Sequence, residues 1–216
     1  MQLIDRGGCN IMLDGDSILF YRQEEKKYIR YSLFAMDDID EGYYLQVKFG
    51  KAYKKVSSRF GDKKIKDANS AILPDGSVLV SFYQDSVIHK YDLQGELLWK
   101  NEDAGKWDTI YDIAVEDNFV WCAYPTSNTI KRFSLDTFRE DVSLGGWEEK
   151  IFNYPETINV YSDSLFVCDM GSKRIIKVKL SSHKIEEHMH FNEPVWEYVQ
   201  LKDKEIVRLD SGIYLL

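Results

Sequence analysis

Residues 157–180, TINVYSDSLFVCDMGSKRIIKVKL, decide the fold. They read as a short apolar strand, a polar turn at Ser162-Asp163, a second apolar strand at Leu165-Phe166-Val167, a longer polar turn, and an alternating strand around Ile175 and Val178. Runs of four to eight apolar or alternating residues between turn-formers are the signature of strands rather than helices. The same pattern recurs upstream without gaps. Residues 112–135, DIAVEDNFVWCAYPTSNTIKRFSL, stand 45 positions earlier, and residues 70–93, SAILPDGSVLVSFYQDSVIHKYDL, a further 42. Their turns are Glu116-Asp117-Asn118 and Pro74-Asp75-Gly76, both turn-forming combinations. Ile88, Ile130 and Ile175 are equivalent, as are Tyr91, Phe133 and Val178.

Two weaker copies flank these three. Residues 10–33 match residues 70–93 at an offset of 60, and residues 196–216 break off after a third strand. Four-stranded units of roughly 40–45 residues are the blades of a β-propeller, in which neighbouring blades bury the sheet faces that an isolated unit leaves wet. The chain is therefore expected to be all-β, a β-propeller of about five four-stranded blades in one domain over 1–216. The blades fall at 9–60, 69–105, 111–148, 156–190 and 196–216, and Gln2-Leu3-Ile4 supplies the strand that the last one lacks. The extra length of the first unit reads as a hairpin, Tyr43–Phe49 and Ala52–Phe60 turning at Gly50. Counting that hairpin as a degenerate blade gives a six-bladed alternative. No amphipathic helix of three turns is expected.

Residues 154–180 resemble an NHL repeat: Pro155 precedes the inner strand, Leu165-Phe166-Val167-Cys168-Asp169 is an apolar strand ending in Asp, and Arg174-Ile175 opens the third strand. Residues 112–135 match less closely, with Tyr124 where the family has Asp, and residues 70–93 keep the Pro-Asp-Gly turn. The resemblance covers about half the chain. It implies a propeller from a group that includes binding modules for RNA and proteins as well as metal-dependent lactonases and peptide-processing enzymes. That range of activities identifies a fold rather than a function.

Composition narrows the classes. The 216 residues are 44% hydrophobic and 14% aromatic, enough for a large core, and the net charge of −8 argues against a whole-surface grip on nucleic acid or anionic membrane. Cys9, Cys122 and Cys168 have neither disulfide-framework nor zinc spacing, and no secretory or membrane-spanning segment is read, so a reducing cytoplasmic setting is expected. No cofactor motif is found.

Several constellations invite chemistry. Gly15-Asp16-Ser17 resembles a GDSL-type nucleophile, but the Asp-x-x-His partner is absent and Ser17 aligns with the turn residue Ser77. Glu186, His188 and His190 would share one strand face and could ligate a metal; the plainer reading is a polar outer strand. A sharper site comes from the repeat. Asn69-Ser70, Tyr111-Asp112, Glu156-Thr157 and Trp196-Glu197 are equivalent and ring one mouth of the channel, near Trp107, Trp147, Phe152 and Tyr154. Asp112, Glu156 and Glu197 beside Tyr111, Trp107 and Trp196 suit a cationic ligand, a sugar or a Lys/Arg-bearing peptide. The plainer reading packs these aromatics between blades.

Charge is uneven. Residues 43–66 hold eight basic residues against Asp62 alone, so the remainder of the chain carries −15. Lys48, Lys51, Lys54, Lys55 and Arg59 are expected on a basic, aromatic hairpin that could dock an acidic protein or, with less support, RNA. The function expected from sequence is a non-catalytic binding module for a protein or peptide. The alternative is a metal-assisted, lactonase-like hydrolase or a sugar-binding module at the channel mouth.

Overall fold

The computed structural model describes residues 1–33, 35–61, 67–82, 87–105 and 108–216. Strand β1 (Gln2–Asp5) leads into the first blade, β2 (Gly8–Asp14), β3 (Ser17–Arg22), β4 (Lys27–Ser32) and β5 (Ala35–Ile39). Two helices follow, α1 (Glu41–Phe49) and α2 (Tyr53–Phe60). The second blade is β6 (Ala68–Ile72), β7 (Val78–Phe82), β8 (Ile88–Tyr91) and β9 (Leu97–Asn101). The third is β10 (Asp112–Glu116), β11 (Phe119–Tyr124), β12 (Thr129–Ser134) and β13 (Glu140–Gly145). The fourth is β14 (Pro155–Tyr161), β15 (Ser164–Asp169), β16 (Arg174–Lys179) and β17 (Ile185–His190). Strands β18 (Val195–Leu201), β19 (Lys204–Leu209) and β20 (Gly212–Leu215) form the fifth with β1 as its outer strand. All pairings are antiparallel, and the ring is a five-bladed β-propeller.

The second strands of the third and fourth blades are apolar on both faces because both are covered. In β11, Val120, Cys122 and Tyr124 pack towards the second blade, whereas Trp121 and Ala123 pack towards the fourth. In β15, Leu165 and Val167 face the third blade, and Phe166 and Cys168 face the fifth. The period-two side-chain geometry of a strand makes this division, and each fully buried aliphatic or aromatic side chain contributes about 1.5–3 kcal/mol. Cys9, Cys122 and Cys168 are free thiols in this core. Among the described residues no helix is long and apolar enough to cross a membrane.

The interval after the first blade corrects the sequence reading. The fourth strand of that blade is the exposed, acidic β5, so the blade ends at Ile39 and not at 60. Tyr43–Phe49 and Ala52–Phe60 are helical, which removes both the basic hairpin and the six-bladed alternative. Leu45, Phe49, Ala52, Val56 and Phe60 recur every three or four residues, a helical stripe that the local alternation of Tyr and Lys obscured. Asp40 caps α1, its Oδ1 accepting from the Tyr43 amide at 2.8 Å. The stripe is buried with Leu19 and Tyr28 of the first blade and Val78, Val80, Phe82 and Tyr91 of the second. Elsewhere neighbouring inner strands lie side by side, but here α1 packs against β6. The helices are a wedge in the ring.

Candidate functional site

The five inner strands and α1 line a partly enclosed cavity of about 480 Å³ on the propeller axis. Asp112, Glu156, Glu197, Tyr111 and Trp196 all line it, together with Asn69, Arg208 and Tyr198. Trp107 lies outside the described residues. Phe152 is buried in the core between the third and fourth blades, and Trp147 is 68% exposed. Three inner strands carry bulges, between Cys9 and Met12, Pro155 and Ile158, and Val195 and Glu197. Glu156 and Thr157 sit in the second of these and Trp196 in the third. Bulges re-aim side chains that strict alternation would fix.

Most of the ring positions are fasteners between blades. Asn69 Nδ2 donates to the Tyr111 carbonyl, joining the second blade to the third. Asp112 Oδ2 accepts from the Ile158 amide at 2.9 Å, joining the third to the fourth, while its Oδ1 accepts from Ile113. Thr157 Oγ1 donates to the Trp196 carbonyl at 2.6 Å, joining the fourth to the fifth. Glu197 accepts from the Asn10 and Ile11 amides and from Arg208 Nη1, joining the fifth to the first. The wedge is fastened on both sides, Tyr44 Oη donating to the Asn10 carbonyl at 3.1 Å and Ser70 Oγ to the Lys48 carbonyl at 2.6 Å.

Glu156 is the exception. Its Oε2 is buried and has no hydrogen-bond partner. Desolvation, reinforced by the negative charge of Glu197 and opposed by Arg208, pushes its carboxyl up to about 7. Asp112 is half-buried on the cavity wall. Desolvation pushes it to about 7 despite the two amides that favour its anion. Lys48, read from the sequence as part of an outward basic surface, instead lines this cavity from the last turn of α1. Desolvation lowers its ammonium to about 8, against the opposing pull of Asp67, Asp112 and Glu197. Its Nζ lies 5.6 Å from the Phe49 ring centroid. The sequence signal that could have placed it is the helical stripe, which puts position 48 beside Tyr44 on the channel side.

The other basic residues do face outwards. Lys51, Lys54, Lys55 and Arg59 are exposed; Lys55 pairs with Glu96, and Arg59 lies 6.0 Å from the Tyr91 ring centroid. Ser17 is buried in a strand-opening position and its Oγ accepts from Arg30 Nε at 3.3 Å, a structural contact. His188 bonds across the blade interface to Glu205 at 2.7 Å, which Tyr198 also bonds. Among the described residues no three His, Cys, Asp or Glu side chains are placed to hold a metal ion, so Glu186, His188 and His190 form no such group. At the end of β15, buried Asp169 accepts from Arg174 Nε at 2.8 Å and from the Asn153 amide at 2.6 Å. At the equivalent position Tyr124 donates to the Ala104 carbonyl at 2.6 Å.

No protein-family model matches the chain, and no curated protein matches it. Solved structures do. The computationally designed Ika4 protein is 15% identical over 68% of this chain and 88% of its own, with a TM-score of 0.53. The designed Ika8 protein is 12% identical over 96% of this chain and 57% of its own, with a TM-score of 0.54. A catalytically inactive virginiamycin B lyase from Staphylococcus aureus, crystallised with quinupristin, is 12% identical over 97% of this chain and 69% of its own, with a TM-score of 0.53. At these identities the likeness is one of fold.

Proposed function

We propose that this protein is a non-catalytic binding module whose central channel takes an ammonium or guanidinium group presented by a peptide side chain or terminus. The observation that carries the reading is the buried Glu156 Oε2, an acceptor without a partner on the wall of a cavity of about 480 Å³. Leaving such an acceptor unmade costs about 1–3 kcal/mol, and a donor on a ligand would remove that cost. Asp112 and Glu197 are already saturated by backbone amides and Arg208, which leaves Glu156 as the uncommitted carboxylate. The cavity is large enough for one amino-acid side chain and too small for a folded domain, so a protein partner would engage it through a single projecting residue. The likeness of residues 154–180 to an NHL repeat supports the same reading, since that family includes protein-binding modules. No observation favours the metal-assisted hydrolase or the sugar-binding module over it.

Calorimetric titration with Nα-acetyl-lysine and Nα-acetyl-arginine methylamides, and with the neutral norleucine analogue, tests the proposal. Cationic ligands are expected to bind and norleucine to fail, and Glu156→Gln is expected to weaken the cations about tenfold or more, the loss of one charge-assisted hydrogen bond. Equal binding by wild type and variant, or no binding of either cation, would overturn it.

A further inference from the structure

We propose that the cation reaches the channel on the C-terminal residue of a peptide, a lysine or arginine whose side chain meets Glu156 and whose α-carboxylate is held by Arg208. The inference rests on the cation-binding reading and deepens it, because it adds an anion to the ligand and a second residue to the site. Arg208 breaks the repeat. It occupies the second-strand position held by Ser81, Ala123 and Cys168 in the preceding three blades, all small and all buried. From that position it lines the cavity, with 27% of its side chain exposed. Two neighbours on the same wall place its guanidinium. Nη1 donates to Glu197 Oε1 at 2.9 Å, and Cζ lies 5.6 Å from the Trp196 ring centroid. Glu197 thus takes one of the five N–H donors of the group. Among the described residues no other acceptor is bonded to it.

Glu156 stands beside this group. Its chain neighbour Thr157 bonds the Trp196 carbonyl, and the charge of Arg208 acts on the Glu156 carboxyl. The wall therefore offers an unbonded carboxylate oxygen and a guanidinium with donors to spare. A bare ammonium drawn to Glu156 would also meet the like charge of Arg208. A ligand carboxylate removes that repulsion and fits the planar fork of the guanidinium. A lysine or arginine within a chain has no anion to give, whereas a C-terminal one carries both charges. The cavity of about 480 Å³ lies within the range of pockets that enclose a whole small ligand, so a complete terminal residue fits it.

Calorimetric titration of the intact protein at pH 8, where Glu156 is ionised, tests the proposal. The probes are Nα-acetyl-lysine, which has a free carboxylate and no α-ammonium, and its methylamide, which has neither. The acid is expected to bind the wild type about tenfold or more tightly than the methylamide, the gain of one charge-assisted pair. Arg208→Gln is expected to bind the two alike. The wild-type comparison needs no variant, so a misfolded Arg208→Gln leaves its result intact. Equal binding of acid and methylamide by the wild type would overturn this proposal and leave the cation-binding reading standing, whereas binding of neither would overturn both. A preference for the acid that survives in Arg208→Gln would assign the carboxylate to another residue and defeat the proposal. So would free glycine binding as tightly as Nα-acetyl-lysine, because an α-ammonium would then fill the place given to the side chain.

Discussion

Asp112 and Glu156 line the same cavity, and desolvation raises both carboxyls to about 7, yet they are built for different purposes. Asp112 uses both oxygens on backbone amides, one of them on the next blade. Asp112→Asn would turn one amide acceptor into a donor facing an N–H, so it is expected to cost about 1–3 kcal/mol. For a chain of this size that lowers Tm by about 2–4 °C per kcal/mol, readable in a thermal melt. Glu156→Gln breaks no fastener and is expected to raise Tm at pH 8. The sign follows from linkage. A carboxyl raised by folding keeps a proton that the unfolded chain has already released, so stability falls as pH rises from about 4 to about 7 and is level above. The stabilisation by Glu156→Gln should therefore be present at pH 8 and absent at pH 4, where both side chains are neutral. Cation affinity runs the other way, rising from pH 6 to 8 as the carboxylate ionises. The repeat made these positions legible in the sequence, because equivalent residues in a ring share one radius. It could not separate the bonded carboxylates from the unbonded Glu156 Oε2, since that depends on where bulges such as Pro155–Ile158 turn the side chains.

The wedge is the element that the repeat did not announce. Copies of a blade can be aligned with one another, but α1 and α2 occur once, and only the spacing of Leu45, Phe49, Ala52, Val56 and Phe60 betrays them. Strand β5 was obscure for the opposite reason. Its Asp37 and Asp38 face solvent at the rim of the ring, where no core selects an apolar pattern. Because the wedge stands in for direct contact between the first two blades, its apolar stripe belongs to the propeller core. Phe49 is a fully buried member of that cluster. Phe49→Ala is expected to cost about 3–5 kcal/mol. Asp40→Ala, which removes only the cap, should cost about 1 kcal/mol. Hydrogen exchange should locate the Asp40→Ala effect in α1 and leave β15 and β16 protected. Faster exchange across all blades would mean that the wedge and ring unfold as one unit.

A ring of five blades has a seam, and here the seam is where the two ends of the chain meet. Gln2 pairs with Leu215 and Leu3 with Tyr214, so β1 covers the edge that β20 would otherwise expose. Asp5 then passes the connection to the first blade, its carboxylate accepting from Arg22 Nε at 2.7 Å. Gln2-Leu3-Ile4 revealed this role in sequence because a four-stranded repeat that stops after three strands needs a partner from elsewhere. Removing residues 1–6 should therefore lower Tm and yield soluble oligomers by size-exclusion chromatography, as bare β20 edges pair. Gln2 and Leu215 are the last partners of that antiparallel pair, so a short Asn-Gly connection from Leu216 to Met1 would make an ordinary hairpin. A circular permutant so joined, reopened between exposed Ser181 and Ser182, should keep one cooperative melt and remain monodisperse, because every strand retains its neighbours. If the deletion melts like the parent while the permutant fails to fold, the strength of the ring lies in the sequential blades and not in the closure that β1 supplies.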